Sequence, residues 1–188
     1  MRAGKRRVNL PNIITLMRII LVPVIIWAIA SQQMKLAFAI FVIAGVSDAV
    51  DGFLAKRFKM VTDNGAMLDP VADKALLVSI YMTLGISGAI PGWLVILVVS
   101  RDVMIVGAVI ISWLLENPIP MKPLMVSKMN TVAQVAFAAL VLASLGFGFQ
   151  AGVFETLVMI AVAMLTALSM ALYFVEWARH MSTTEPIP

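Results

Sequence analysis

Asp48, Asp51, Asp69 and Asp73 lie inside or beside apolar runs of membrane length. A carboxylate at bilayer depth costs about 2.5–3.5 kcal/mol on insertion scales, so four in one stretch imply a strong positive charge between them. The neighbouring Lys56, Arg57 and Lys74 supply only part of it. The chain has no Cys and one His, His180 near its end. Oxygen is therefore the available ligand atom, which favours Mg²⁺, Mn²⁺ or Ca²⁺ over soft metals. On a helix, Asp48 and Asp51 stand about one turn apart, and Gly65, Asp69 and Asp73 recur every four residues, so each set shares a face. Two facing pairs of carboxylates could hold two divalent cations about 4 Å apart, polarising a phosphoryl group and stabilising both attacking and leaving oxygens. Gly52 and Gly65 lack side chains, which permits close approach of another helix or of a phosphate-bearing ligand.

The elements that must position these residues are membrane helices. Of 188 residues 62% are hydrophobic and 13% charged, and the mean hydropathy is +1.01, more apolar surface than a soluble domain of this size can bury. Apolar runs cover residues 13–30, 36–50, 71–86, 93–115, 131–149 and 153–175, most of them near the ~20 residues that span a bilayer core. The second is short, and its spacing carries it on through Phe53, Leu54 and Ala55 into the aspartate stretch. The fold class expected is an all-α integral membrane protein, a six transmembrane helix bundle. A basic segment 1–12 leads into a single domain over 13–180, and 181–188 form a flexible tail. Gly88 to Gly92 with Pro91, and Gly146, Gly148 and Gly152, punctuate the turns between spans.

Charge sets the orientation. Ten Lys and Arg (residues 2, 5, 6, 7, 56, 57, 59, 122, 128 and 179) fall on one side of this topology and Lys35 alone on the other. By the positive-inside rule both termini and the aspartates face the cytoplasm, with a polar active-site cavity open to that side. The basic balance is thus a topology signal and not one for nucleic acid. Arg18 interrupts the first run and no small-residue cleavage site follows it, so the run is a span and not a secretory signal. The expected location is a bacterial cytoplasmic (inner) membrane.

The aspartate stretch resembles the signature of the CDP-alcohol phosphatidyltransferases, D-x2-D-G-x2-A-R-x8-G-x3-D-x3-D. It runs here as Asp48, Asp51-Gly52, Ala55, Lys56, Gly65, Asp69 and Asp73. The spacing is complete and Lys56 replaces the family's Arg, a change that alters phosphate geometry. The resemblance implies a six-helix membrane enzyme that uses two Mg²⁺ or Mn²⁺ ions. Asp48, Asp51 and Asp69 would bind the metals and, through them, the diphosphate of CDP-diacylglycerol. Asp73 would be both metal ligand and general base, taking a proton from an acceptor alcohol that attacks the lipid-side phosphorus and expels CMP. Gly52, Lys56, Thr62 and Gly65 would line the cytidine-diphosphate pocket, and Asn12 and Thr15 resemble the family's Pro-Asn-x-x-Thr entry that completes it. A homodimer is the assembly the family implies.

Cations left within the spans should meet the acceptor: Arg18, Lys74, Arg101 and Lys128. Arg101-Asp102 could instead neutralise itself, and Lys74 and Lys128 could snorkel to the interface. The segments around Arg101-Asp102 and Ser127-Lys128-Met129-Asn130 resemble the cardiolipin branch of the family more than the phosphatidylglycerophosphate branch, which more often has a second Lys where Asn130 stands. A dianionic soluble acceptor wants that extra cation more than a singly charged phosphodiester lipid does. Phosphatidylglycerol is therefore the favoured acceptor and glycerol 3-phosphate the alternative. A divalent-cation transporter also places aspartates in helices, but it gives no reason for the glycines or for Asn12 and Thr15.

Overall fold

The structure is a computed structural model that describes residues 10–58, 65–114 and 125–183; side chains are described for 20–47, 74–108, 110–112, 114 and 125–181. Regular structure among these residues is entirely helical, in six helices: α1 (Leu10–Ala30), α2 (Met34–Phe58), α3 (Gly65–Ile86), α4 (Gly92–Leu114), α5 (Met125–Phe147) and α6 (Gly152–Thr183). Each expected span has its helix, and the ends differ where polar residues continue a helix beyond its apolar run. α2 passes through the first aspartates to Phe58, and α3 begins at Gly65, so the whole second half of the motif is helical. α5 starts six residues before its apolar run and takes in Ser127, Lys128 and Asn130. α6 continues to Thr183, into the stretch expected as a tail. Among the described residues three stretches are long and apolar enough to cross a membrane: Gly92–Ser112, Met125–Phe147 and Gly152–Met181.

The chain divides into two compact units. The first contains α1, α2 and α3 with residues 142–149 at the end of α5, and in it α1 packs against both α2 and α3. Ile25, Ala28, Ile29, Ala37, Ile80, Tyr81 and Leu84 are buried in its core. The α1–α2 turn is closed by its own backbone. Gln33 N–H donates to Ala28 O at 2.8 Å and Gln32 N–H to Ile29 O at 3.0 Å, with Gln32 left-handed at φ 59°. These bonds satisfy carbonyls that a helix end otherwise leaves open. Gly146 lies against the start of α2 so closely that an added Cβ would stand 3.1 Å from Lys35 N. Beside it, Phe38 and Phe147 meet edge to face at 5.6 Å.

The second unit holds α4, the first part of α5 and α6, with α4 packed on α6. Leu94, Val98, Phe137, Ala138, Val141 and Val162 form its apolar core. Its outer faces are no less apolar: Ile96 and Val132 are each 68% exposed. Exposed large side chains of this kind suit helices whose surroundings are lipid.

Candidate functional site

The first unit carries the aspartate motif on two helices held by a third. Asp48, Asp51, Gly52 and Lys56 belong to α2; Gly65, Asp69, Asp73 and Lys74 belong to α3; Asn12, Thr15 and Arg18 belong to α1, which packs on both. The three-residue and four-residue spacings therefore fall on continuous helix, as face-sharing requires. The side chains of these residues, Lys74 excepted, lie outside the described ones, and so does Thr62 altogether. Lys74 is half-buried. No group of three metal-ligating side chains occurs among the described residues, a set that excludes the four aspartates.

The second unit carries a buried polar seam. Arg101 of α4 is 3% exposed, and a guanidinium so placed needs acceptors for its five N–H groups. Its Nε donates to Ser169 Oγ of α6 at 3.3 Å, one Nη2 hydrogen to the same oxygen at 3.1 Å, and the other to Ser127 Oγ of α5. Nη1 donates to Asp102 Oδ1, which makes an ion pair. The Tyr173 ring lies with its centroid 5.8 Å from Arg101 Cζ, within cation–π range. One side chain thus ties three helices together. Its charge is met by its own neighbour in sequence, the self-neutralising pair that the sequence left open.

The seam continues one turn along α5 and α6. Thr166 Oγ1 donates to Asn130 Oδ1 at 2.8 Å and accepts from Gln134 Nε2 at 3.4 Å. All three residues are buried, Asn130 completely. Asn130 Nδ2 has no hydrogen-bond partner. An amide donor buried without a partner costs about 1–3 kcal/mol, so in a retained site it points to an oxygen supplied from outside the protein or by water. Lys128 is exposed.

Sequence reasoning chose Arg101, Lys128 and Asn130, and it missed Ser169, Thr166 and Tyr173. A signal was present. Ser127, Asn130 and Gln134 on α5, and Thr166, Ser169 and Tyr173 on α6, each recur at three and then four residues, leading into one apolar run and lying within another. A polar stripe at helical spacing must face protein and not lipid.

Comparison with known proteins extends the resemblance over nearly the whole chain. A family model described as CDP-alcohol phosphatidyltransferase matches residues 8–177. Cardiolipin synthase (CMP-forming) of Rattus norvegicus is 30% identical over 182 residues, covering 88% of this chain and 60% of the relative. The Homo sapiens protein of the same name shows the same identity and coverage. A probable phosphatidylglycerophosphate synthase of Mycobacterium tuberculosis is 39% identical over 107 residues, 53% of this chain and 51% of that protein. The chain spans 60% of the length of the rat and human relatives.

Proposed function

This chain belongs to the CDP-alcohol phosphatidyltransferase family, and on that premise we propose that it transfers the phosphatidyl group of CDP-diacylglycerol to phosphatidylglycerol, forming cardiolipin and releasing CMP. The observation that carries the choice of acceptor is the compensated charge of the second unit's polar seam. Arg101 is paired with Asp102, and Asn130 presents a neutral donor with no protein partner. A phosphodiester with one negative charge, or the hydroxyls of its glycerol, needs no further buried cation; a phosphomonoester dianion does.

Asp48, Asp51, Asp69 and Asp73 would hold two divalent cations, Mg²⁺ or Mn²⁺. Their all-oxygen donor set fits such ions, and the helices that carry them both pack on α1. Bound there, the ions would neutralise the diphosphate and stabilise the charge that moves to the leaving group. Asp73 takes the proton of the acceptor hydroxyl as its oxygen bonds to the lipid-side phosphorus. The bond from that phosphorus to the CMP oxygen breaks, and CMP leaves with the electron pair. Gly52 and Gly65 leave room for the nucleotide's phosphates, with Lys56, Thr62, Asn12 and Thr15 around them. Arg18, Lys74, Arg101 and Lys128 serve the acceptor. Both termini and the aspartates lie on the cytoplasmic side of the inner membrane under this reading, and a second copy of the chain completes a homodimer.

Glycerol 3-phosphate is the second candidate acceptor, favoured by the 39% identity to the M. tuberculosis relative. The deciding experiment supplies purified protein with CDP-diacylglycerol, Mg²⁺ or Mn²⁺, and one acceptor at a time. CMP and cardiolipin are expected with phosphatidylglycerol. CMP release with glycerol 3-phosphate alone would overturn the assignment in favour of phosphatidylglycerophosphate synthesis.

A further inference from the structure

The open amide of the second unit's polar seam owes its direction to a residue on another helix. Thr166 Oγ1 of α6 carries one hydrogen, and two buried amides of α5 face it. Gln134 Nε2 can only donate, so towards it Thr166 must accept, at 3.4 Å. The hydroxyl hydrogen is thereby left for Asn130, whose Oδ1 receives it at 2.8 Å. With that oxygen held, the nitrogen of the same planar amide is turned the other way, and Nδ2 is the atom without a partner. Were both amides reversed, Asn130 would donate to Thr166 and show an oxygen instead. The bonds from Gln134 through Thr166 to Asn130 therefore fix a polarity: a donor is presented, and its complement is an oxygen lone pair.

Asn130 and Thr166 are fully buried and Gln134 nearly so, so solvent competes little for these bonds and their direction persists. Asn130 is the last residue before the apolar run over 131–149 and lies about 8 Å along the axis from the start of α5. Under the proposed orientation α5 starts on the cytoplasmic side, so the open donor sits at the polar edge of its span and not at mid-bilayer. We propose that Thr166 is a positioning residue for the acceptor: it holds the Asn130 amide with its NH2 group towards an oxygen of the acceptor alcohol, and Gln134 in turn holds the Thr166 hydroxyl. The proposal rests on the reading of Asn130 as an acceptor-binding group, and it gives a role to two residues that themselves touch no substrate.

The test measures KM and kcat for phosphatidylglycerol, at saturating CDP-diacylglycerol with Mg²⁺, in wild type, Thr166→Val, Thr166→Ser, Asn130→Ala and the double variant of Thr166→Val with Asn130→Ala. Thr156→Val is the control: Thr156 is an exposed threonine of the same helix whose hydroxyl donates to Gly152 O. Thr166→Val keeps the shape and removes the hydroxyl, so the Asn130 amide is released to turn. KM for phosphatidylglycerol is expected to rise on the order of tenfold. The kcat, the KM for CDP-diacylglycerol and the Thr156→Val control should stay within about twofold of wild type. Thr166→Ser returns the hydroxyl and should restore KM. Because Thr166 acts through Asn130, Thr166→Val should add nothing to the KM of Asn130→Ala, a non-additivity that a purely structural role does not give. Gln134→Leu serves where Thr166→Val fails to fold: it leaves both other partners in place, and KM is expected to rise on the order of threefold. An unchanged KM in Thr166→Val (or, where that protein does not fold, in Gln134→Leu), a matching fall in kcat, effects that add to those of Asn130→Ala, or no rescue by Thr166→Ser would each overturn the proposal. Wild-type protein that releases CMP with glycerol 3-phosphate and not with phosphatidylglycerol sinks the acceptor assignment itself, whatever the variants do.

Discussion

The two units carry their polar residues in opposite ways. In the first they are concentrated: the four aspartates of the motif and Asp63 fall between positions 48 and 73, interleaved with Gly52, Gly65 and the cations Lys56, Arg57 and Lys59. In the second they are spread about one per turn over three helices, mostly uncharged, and bonded to one another. Carboxylates close in sequence do not satisfy one another and favour cations beside them. Hydroxyls, amides and one compensated arginine largely can. Under the proposed function the difference separates two tasks. A cluster that must recruit positive charge suits bond-making on a diphosphate. A seam that is complete but for one amide donor suits telling one alcohol from another.

The contrast predicts opposite phenotypes. Asp73→Asn should lower CMP release about 10²–10⁴-fold, the contribution of a positioned base, with helicity and thermal unfolding unchanged; near-normal turnover would remove Asp73 from that role. Arg101→Leu should act first on the fold. Loss of the guanidinium that joins Asp102, Ser127 and Ser169 is expected to cost about 3–5 kcal/mol, measured by thermal unfolding in detergent. Arg101→Lys should fall between, since it keeps the charge without the fork. Wild-type stability in Arg101→Leu would erase the distinction between the units. Asn130→Lys sharpens it further. Product analysis with paired acceptors should show the ratio of glycerol 3-phosphate to phosphatidylglycerol use rising roughly tenfold, at a stability cost of about 2.5–3.5 kcal/mol for a cation at that depth. The smallest effect is expected at Gln32→Gly. Relief of the left-handed strain should raise stability by about 1 kcal/mol, and a lower melting temperature would show that the Gln32 side chain contributes more than its backbone costs.

The first unit was largely legible in the sequence and the second only in part. Charge inside an apolar run is conspicuous, and the spacing of the aspartates and glycines marked the helices that carry them, as α2 and α3 show. The run of apolar residues that marked α5, by contrast, hid its first turns, because Ser127, Lys128 and Asn130 lower hydropathy while continuing the helix. Ser169 and Thr166 hid for a related reason. A hydroxyl in a membrane helix can bond its own backbone, as Ser112 and Thr131 do here, so a lone Ser or Thr signals little. Only the packing of α4 on α6 shows that Ser169 serves Arg101 instead.

The closed turn between α1 and α2 has a consequence for how the protein is made. With Gln32 and Gln33 already bonded back to Ile29 and Ala28, the first two helices can leave the ribosome as a finished hairpin. A hairpin that enters a bilayer turn first leads with the residues nearest the turn. Asp48 lies fourteen residues into α2, about 21 Å from its start. Under the proposed orientation the carboxylates are the trailing part of that hairpin, and insertion need not drag them through the bilayer core.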